Sequence, residues 1–316
     1  MEIRQLKTFL VVAETGSVTR AAQMLRIAQP ALSRQIRMLE EEHGTALFTR
    51  HARGMTLSQA GAILVDHYRR VLRELDSAKS EVAALAGEVT GKIAIGMLPS
   101  VSDLLAGRIA AAMKERYPLV RLRILTGLAT HLMEWLDKQE IDLAIVSEPV
   151  VPASVEFQRL VEEPLYLVGQ AATAGFHGQS IPLRQLAQYP LILPSSDFGL
   201  RGGIDHAIHA VGIELNVAIE ANSLHVQRKL IRAGIGYALF PSSVVVGPEA
   251  APDLAYARIV DPPIVRRIGL AVSNLRHRPF VNRCVAELTI DEMAKSMARG
   301  DWPEGRSLLQ ASSSLG

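Results

Sequence analysis

Apolar positions near the start of the chain recur with the 3.6-residue period of an α-helix. The first run has this period and places Ile3, Leu6, Leu10 and Ala13 on one apolar face of a helix. A second helix is expected to open at Val18, because the hydroxyl of Ser17 can accept a hydrogen bond from a backbone N–H of the first turn. Its small apolar side is Ala21, Ala22 and Leu25.

A third helix follows a short reversal of the chain over 26–29. Pro30 suits the first turn of a helix, because its φ is already helical and its missing N–H would have no partner there. Apolar side chains then recur at i, i+4 and i+7, which turns Leu32, Ile36 and Leu39 inward. The side chains left on the outer face are Gln29, Ser33, Arg34 and Arg37.

This outer face carries residue types that read DNA. Glutamine and serine hydrogen-bond to base edges, and arginine forks onto guanine or onto a phosphate. Residues 1–58 contain eight Lys or Arg and five Glu, an excess of three positive charges, whereas the whole chain carries +2. Two short amphipathic helices also occur in all-α domains that bind no nucleic acid, so charge alone does not decide. The turn, the polar face and the basic residues together favour a helix-turn-helix that docks in the major groove.

A longer amphipathic pattern runs over 58–85. Its apolar residues alternate spacings of four and three over three heptads. Such a stripe packs either on its own domain or on the same helix of a second chain. We favour the second interpretation, with an interface of Leu64, Tyr68, Val71, Leu75, Ala78, Val82 and Leu85. A dimer would place two recognition helices on successive major grooves, so the DNA site is expected to be an interrupted inverted repeat.

After residue 91 short apolar runs alternate with helical segments, which is typical of an α/β sheet with parallel crossovers. The predicted strands are 92–97, 120–125, 142–146, 189–193, 216–220 and 237–240, and the predicted helices are 103–116, 130–138, 203–211 and 222–232. Runs at 165–170 and 265–272 are expected to connect two similar halves, with a cleft between them. A closing helix is predicted over 280–298, and the tail over 299–316 is predicted to be disordered.

Ligands of open α/β sheets bind beyond the carboxyl ends of the strands, which locates the expected ligand site. Hydroxyls and N–H groups at a helix start suit an anionic group, whereas Glu148 disfavours one. We expect a small organic, anionic effector on Ser100 and Ser102, with Arg201 or Ser196 closing from the opposite half; each serine has the alternative role of a plain helix cap. The full predicted set is Pro99, Ser100, Val101, Ser102, Thr126, Gly127, Ser147, Glu148, Ser196, Phe198, Arg201 and Ser223.

Signals for an enzyme or a metal site are weak. Gly234 and Gly236 follow a helix instead of a strand, so they do not form a dinucleotide-binding turn. His206 and His209 have a spacing that allows two metal ligands, but an exposed helix face is the simpler interpretation. The single Cys284 excludes a disulfide framework and is expected to be buried, with a redox role as the alternative. We therefore expect no catalysis, no metal and no cofactor.

A solute-binding protein would share the two-lobed architecture but would need an export signal. The first apolar run is interrupted by Glu14 and has a helical period, so we do not interpret it as a signal peptide. No apolar run reaches the ~20 residues of a membrane-spanning helix. A cytoplasmic location is expected.

The segments 6–25, 28–50 and 54–61 resemble, in order and spacing, the LysR-type transcriptional regulators. The resemblance implies a support helix over 3–15, a recognition helix over 30–42 and a two-stranded wing over 47–57, whose tip would approach the minor groove. Ala28 stands where the family often has Ser or Thr, so the recognition helix lacks a hydroxyl cap. The predicted DNA-binding residues are Ser17, Thr19, Arg20, Gln29, Pro30, Ser33, Arg34, Arg37, Arg50 and Arg53.

The resemblance also implies that the fold class is α/β overall, and it implies a domain organisation. A winged helix-turn-helix domain would occupy 1–58, a dimerisation helix and hinge 59–90, a bilobed effector domain similar to periplasmic solute-binding proteins 91–298, and the tail 299–316. A homodimer or homotetramer would regulate transcription with RNA polymerase at target promoters, under the control of the effector.

Overall fold

The computed structural model describes residues 1–51, 54–85, 87–148, 154–196, 199–245, 253–273 and 280–309. The chain divides into two compact units, Met1–Gly87 and Glu88–Gly316, here called the N-terminal unit and the C-terminal unit. Among the described residues, no helix combines the length and the apolar character that crossing a membrane requires.

The N-terminal unit has the predicted order of helices and wing strands. Its elements are α1 (Ile3–Thr15), α2 (Val18–Leu25), α3 (Gln29–His43), β1 (Phe48–His51), β2 (Gly54–Leu57) and α4 (Gln59–Leu85). The Ser17 side chain accepts a hydrogen bond from the N–H of Arg20 and caps α2, as predicted. Ala28 gives α3 no side-chain cap, also as predicted.

The inward face of α1 differs from the prediction. Ile3 is 51% exposed, whereas Phe9 and Val12 are fully buried. Phe9 explains the difference, because its ring contacts Phe48 and Tyr68 at centroid distances of 5.2 and 5.3 Å. The face of α1 that carries Phe9 therefore packs against the core. The inward residues of the later helices are buried as predicted, namely Ala21, Ala22, Leu32, Ile36 and Leu39.

The C-terminal unit consists of two α/β lobes. The first lobe contains β3 (Gly91–Met97), α5 (Pro99–Arg116), β4 (Val120–Thr126), α6 (Ala129–Asp137), β5 (Leu143–Ser147) and α10 (Phe280–Ala298). The second contains β7 (Gln179–Pro182), a 3-10 helix (Leu183–Gln188), β8 (Leu191–Leu193), α7 (Gly199–Val211), β9 (Val217–Glu220), α8 (Leu224–Arg232), β10 (Tyr237–Pro241), α9 (Ser242–Val245) and β11 (Leu254–Val260).

One long strand, β6 (Val155–Gln170), runs through both lobes, and β12 (Val265–Ser273) returns the chain to the first lobe. The sheet order is β4-β3-β5-β12-β6-β10-β8-β9, in which β3 pairs in parallel with β4 and β5. The start of β6 pairs antiparallel with β12, and its end pairs antiparallel with β10 and β11. The sequence patterns indicated the two connecting runs. They did not show that β6 begins ten residues before the predicted run at 165–170, and they did not predict β7 or β11.

The prediction of a disordered tail is wrong for residues 299–309. Asp301 and Trp302 are buried, and β13 (Arg306–Ser307) pairs antiparallel with β6. The physical reason is a buried polar cluster: Asp301 accepts hydrogen bonds from Arg108 and from Ser296, and the Trp302 indole donates to Ser296 at 3.1 Å. The remaining residues, 310–316, lie outside the described part of the chain.

Asp301→Asn is expected to lower the free energy of unfolding of the C-terminal unit by about 1–3 kcal/mol at pH 7, because charge-assisted hydrogen bonds are lost. Burial raises the pKa of Asp301, but hydrogen bonds from Arg108 and Ser296 outweigh burial and hold it below its ordinary value of 3.8. The carboxylate therefore stabilises the fold above pH 3.8, and this contribution disappears as the pH falls through the lower, folded-state pKa. Urea denaturation between pH 7 and pH 3 should show the two proteins converging in acid.

The control is Asp291→Asn, which removes an exposed carboxylate 3.9 Å from Arg116. An exposed pair of this kind contributes about 0–1 kcal/mol. Equal losses for the two variants would show that the tail is not anchored by Asp301.

Candidate functional site

The outer face of α3 is the candidate nucleic-acid interface. Leu32, Ile36 and Leu39 hold one side of the helix in the core of the N-terminal unit. On the opposite side Gln29, Pro30, Arg34 and Arg37 are exposed, and Ser33 is half-buried. The sequence thus places two guanidinium groups, a carboxamide and a hydroxyl on one surface of a rigidly packed helix. Such a surface can donate to phosphates and to base edges.

Helix α2 contributes less than predicted, because two of its polar groups have structural partners. The Ser17 hydroxyl is used as the cap, and the Arg20 guanidinium donates to the carbonyl of Thr15 at 2.6 Å. Thr19 is exposed on the same turn.

The wing is attached to the turn between α1 and α2. The N–H of Met55 donates to the carbonyl of Gly16 at 2.9 Å. Gly54 has a φ of +138°, and a Cβ there would lie 2.4 Å from the same carbonyl oxygen, so only glycine fits. Arg50 is exposed on β1, as predicted. Arg53, the other predicted tip residue, lies outside the described residues.

The heptad stripe of α4 divides into two parts. Tyr68 is a core residue and not an interface residue: it is buried and lies 2.5 Å from His43 through its hydroxyl. Leu64 also packs on this core. Both were predicted at the dimer interface; α1 and the wing pack on the first turns of α4, which buries Tyr68 and leaves Leu64 half-buried. Further along the helix, the exposed members of the stripe are Val71, Ala78, Val82 and Leu85, and Leu75 is half-buried.

In the first lobe, predicted ligand-site residues meet at the start of α5. Thr126 donates to the hydroxyl of Ser102 at 3.2 Å, which joins the end of β4 to α5. Ser100 is buried and Val101 is fully buried in the lobe core, so Val101 offers no side chain to a ligand. The half-buried members are Pro99 and Ser147. Gly127 is held close to Trp135, whose ring carbon Cζ3 would lie 3.0 Å from an added Cβ.

The charge of Glu148 is balanced by neighbouring arginines. It accepts a hydrogen bond from Arg159 Nε at 2.8 Å and lies 3.7 Å from a guanidinium nitrogen of Arg267. The hydrogen bonds from Arg159 lower the pKa of Glu148 below its ordinary value. The sequence suggested that the isolated charge of Glu148 would oppose an anionic ligand. In the structure this charge is not isolated, because two arginines pair with it.

In the second lobe Arg201, predicted to close on the effector, is bound by groups of its own lobe. Its guanidinium is 14% exposed and binds Asp205 at 2.7 Å and Glu220 at 3.4 Å. It also donates to the carbonyl of Pro194 at 2.9 Å. Two carboxylates neutralise its charge, and it fixes the start of α7 to neighbouring strand ends. Arg201 is therefore a structural cation of its own lobe.

Two other predicted residues of the second lobe, Ser196 and Ser223, follow directly after the hydrogen-bonded residues Ser195 and Asn222. Ser196 and Ser223 are exposed, and Ser223 stands before α8 without a side-chain capping bond. Phe198 lies outside the described residues. The Oδ1 of Asn222 accepts from the N–H and the hydroxyl of Ser195 at 2.8 and 2.9 Å, which fixes this loop. The lobes approach each other nearby, since a Cβ on Gly199 would lie 3.4 Å from that of Ala129.

A buried ion pair between the lobes was missed. Glu163 is fully buried in β6, and Arg266, whose side chain is 7% exposed, lies directly opposite in β12. Arg266 Nε donates to Glu163 at 2.7 Å and its Nη2 donates to Ser100 at 3.0 Å. The sequence shows two adjacent glutamates in one run and two adjacent arginines in the other, and the strand register that pairs Glu163 with Arg266 is not visible in a single sequence. We call Glu163 and Arg266 the hinge pair.

The features considered for other chemistry form no site. Within the described part of the chain, no group of three or more His, Cys, Asp and Glu side chains could hold a metal ion. His206 and His209 are exposed. Cys284 is buried, and this burial raises the pKa of its thiol, which disfavours the reactive thiolate.

Comparison with known proteins agrees with this arrangement. The family described as LysR substrate binding domain matches residues 86–294, and the one described as bacterial regulatory helix-turn-helix protein, lysR family, matches residues 3–62. The nitrogen assimilation regulatory protein nac of Escherichia coli K12 is 31% identical over 271 residues, 85% of this chain and 88% of that protein. The dual regulator OxyR of the same organism is 32% identical over 275 residues, 85% and 88% of the two chains.

Among solved structures, full-length CbnR bound to its target DNA has a TM-score of 0.70 at 23% identity, covering 94% of this chain and all of that one. This likeness concerns the fold. The curated relatives are named transcriptional regulators and not enzymes. The chain therefore belongs to the LysR family of transcriptional regulators.

Proposed function

We propose that this regulator binds an interrupted inverted repeat in double-stranded DNA through α3, as a homodimer or a tetramer built from dimers. The observation that carries the proposal is the exposed face of α3, with Gln29, Ser33, Arg34 and Arg37 on a helix whose other side is buried. The amino-terminal residues of such a helix reach base edges, and its arginines reach guanine or phosphate. CbnR, a protein of the same fold, has been crystallised with its target DNA.

The dimer proposal is supported by α4. This helix has 27 residues, and its second half exposes Val71, Val82 and Leu85. A parallel or antiparallel partner helix would remove these apolar side chains from water. We further propose that the bound oligomer acts in the cytoplasm and contacts RNA polymerase at its target promoters.

The effector proposal is supported by the polar groups between the lobes. Ser100, Ser102 and Thr126 bring three hydroxyls together at the start of α5. We propose a small organic molecule with hydrogen-bond acceptors, such as carboxylate or carbonyl oxygens, held by these groups. Ser147, Ser196 and Ser223 are further candidate contacts. Arg201 is not included, because Asp205 and Glu220 already neutralise it.

Arg34→Ala is expected to weaken binding to the DNA upstream of the protein's own gene by about 1–3 kcal/mol, because one arginine contact to a base or phosphate is lost. Fluorescence anisotropy with the full-length protein over a salt series measures this change. If Arg34 contacts a phosphate, the slope of log K against log salt should also fall by roughly one unit.

The matched control is Arg184→Ala, which removes one exposed positive charge from the 3-10 helix of the C-terminal unit. It should leave affinity and slope close to those of the wild type. Equal weakening by both variants would mean that net charge, and not the face of α3, determines binding. Equal affinity of the wild type for a scrambled duplex would contradict sequence-specific recognition.

A further inference from the structure

The hinge pair connects both lobes to one buried set of hydrogen bonds. Glu163 and Arg266 are paired in the antiparallel register of β6, which runs through both lobes, and β12, which returns the chain to the first lobe. On one side Arg266 donates to the hydroxyl of Ser100, in the first turn of α5 in the first lobe. On the other side Glu163 Oε2 accepts from the Ser242 hydroxyl at 3.1 Å and from the Ser243 N–H at 3.0 Å, at the start of α9 in the second lobe.

The chemistry of these groups fixes their directions. An arginine can only donate, so Ser100 accepts from Arg266 and keeps its own proton for another acceptor. A carboxylate can only accept, so Glu163 takes its bonds from Arg266 on one oxygen and from the α9 start on the other. The side chains of Ser100, Glu163, Ser242 and Arg266 are buried, so water does not compete for their bonds as it would at the surface.

We propose that Arg266 is a positioning residue that couples Ser100, a contact of the proposed effector, to the second lobe through Glu163. A change at the Ser100 hydroxyl then alters the hydrogen bonds of the hinge pair and, with them, the angle between the lobes. The regulatory role of this coupling rests on the effector site proposed above. The structural part of the inference is that Ser100 and Arg266 together determine the angle between the two lobes. This part can be tested without effector or DNA.

The guanidinium fork is what allows this coupling. Arg266 contacts Glu163 through Nε and Nη2, and the same Nη2, which carries two hydrogens, also donates to Ser100. A lysine at this position retains the charge for Glu163 but lacks the fork. Arg266→Lys should therefore behave like Ser100→Ala, although the two substitutions alter different residues.

The test is double electron–electron resonance on the full-length protein with one spin label in each lobe. Labels are attached to cysteines introduced at the exposed residues Glu287 in α10 and Gln185 in the 3-10 helix, in a Cys284→Ala background. Labelled chains are diluted with an excess of unlabelled chains, so that each measured distance belongs to one molecule. Thermal denaturation of each variant shows that it is folded.

We expect Ser100→Ala and Arg266→Lys each to shift the interlobe distance distribution from the wild-type position, and the double variant to shift it no further. Ser100→Thr, which retains a hydroxyl, should restore the wild-type distribution. The control Arg267→Lys changes the next residue of β12, an exposed arginine paired with Glu162 at 2.8 Å, and should cause no shift.

An unchanged distribution in Ser100→Ala would overturn the proposal, as would additive shifts from the two single substitutions. If Arg266→Lys does not fold, Ser100→Ala and Ser100→Thr still decide the outcome. A protein that shows the expected shifts but binds no specific DNA would contradict the proposed function while leaving the coupling intact.

Discussion

Glu163→Ala is expected to lower the free energy of unfolding of the C-terminal unit by about 3–5 kcal/mol. The substitution leaves the guanidinium of Arg266 buried without its counter-charge, and it removes the acceptor of the Ser242 hydroxyl and the Ser243 N–H. For a unit of this size the loss corresponds to a decrease in melting temperature of roughly 10 °C. Differential scanning calorimetry of the full-length protein measures it as a shift of the C-terminal transition.

The neighbouring carboxylate is the control for this prediction. Glu162 is 20% exposed and pairs at 2.8 Å with Arg267, which is 45% exposed, so Glu162→Ala should cost at most about 1 kcal/mol. Replacing both members of the hinge pair, with Glu163→Leu and Arg266→Met, should recover much of the stability, because no unpaired charge stays buried. Similar losses from Glu162→Ala and Glu163→Ala would contradict the importance of burial.

The elements of this protein that the sequence predicted are those with local signals. The bounds of α10 agree with those predicted along the chain, and the bounds of α1 are those that the resemblance to the LysR family implied. The turn before α3 and the wing strands also depend on nearby residues such as Pro30 and Gly54. For the same reason, the residues on the outer face of α3 could be named in advance.

What could not be predicted depends on contacts between distant residues. In the sequence Arg201 is a candidate anion-binding residue, but in the structure Glu220 lies beside it and pairs with its charge. The hinge pair joins residues more than a hundred positions apart, and the register of β6 with β12 decides which of several charged residues meet. The polar sequence of the tail suggests disorder. Asp301 nevertheless accepts a hydrogen bond from Arg108, which lies far from it in the sequence. A single sequence shows the residue types in each case but not their partners.

Helix α1 shows the same limit within one element. Its length was predicted correctly, but periodicity alone allowed two adjacent faces to be the apolar one. The stripe that begins at Ile3 and the stripe that contains Leu6, Phe9 and Val12 overlap at Leu6. The structure selects the second, because Phe9 fills the space between Phe48 and Tyr68. This choice can be tested by stability measurements.

Phe9→Ala is expected to lower the free energy of unfolding of the N-terminal unit by about 3–5 kcal/mol, because a fully buried aromatic ring is removed and a cavity remains. The loss should appear in calorimetry as an earlier N-terminal transition, with the C-terminal transition unchanged. DNA binding should fall at temperatures where this unit is partly unfolded, since α3 packs on the same core. Ile3→Ala removes the residue that periodicity placed inward, but this side chain is 51% exposed, so its cost should stay within about 0.5 kcal/mol. A larger loss for Ile3→Ala than for Phe9→Ala would show that α1 faces the core by the stripe that periodicity predicted, and that the aromatic contacts do not determine its orientation.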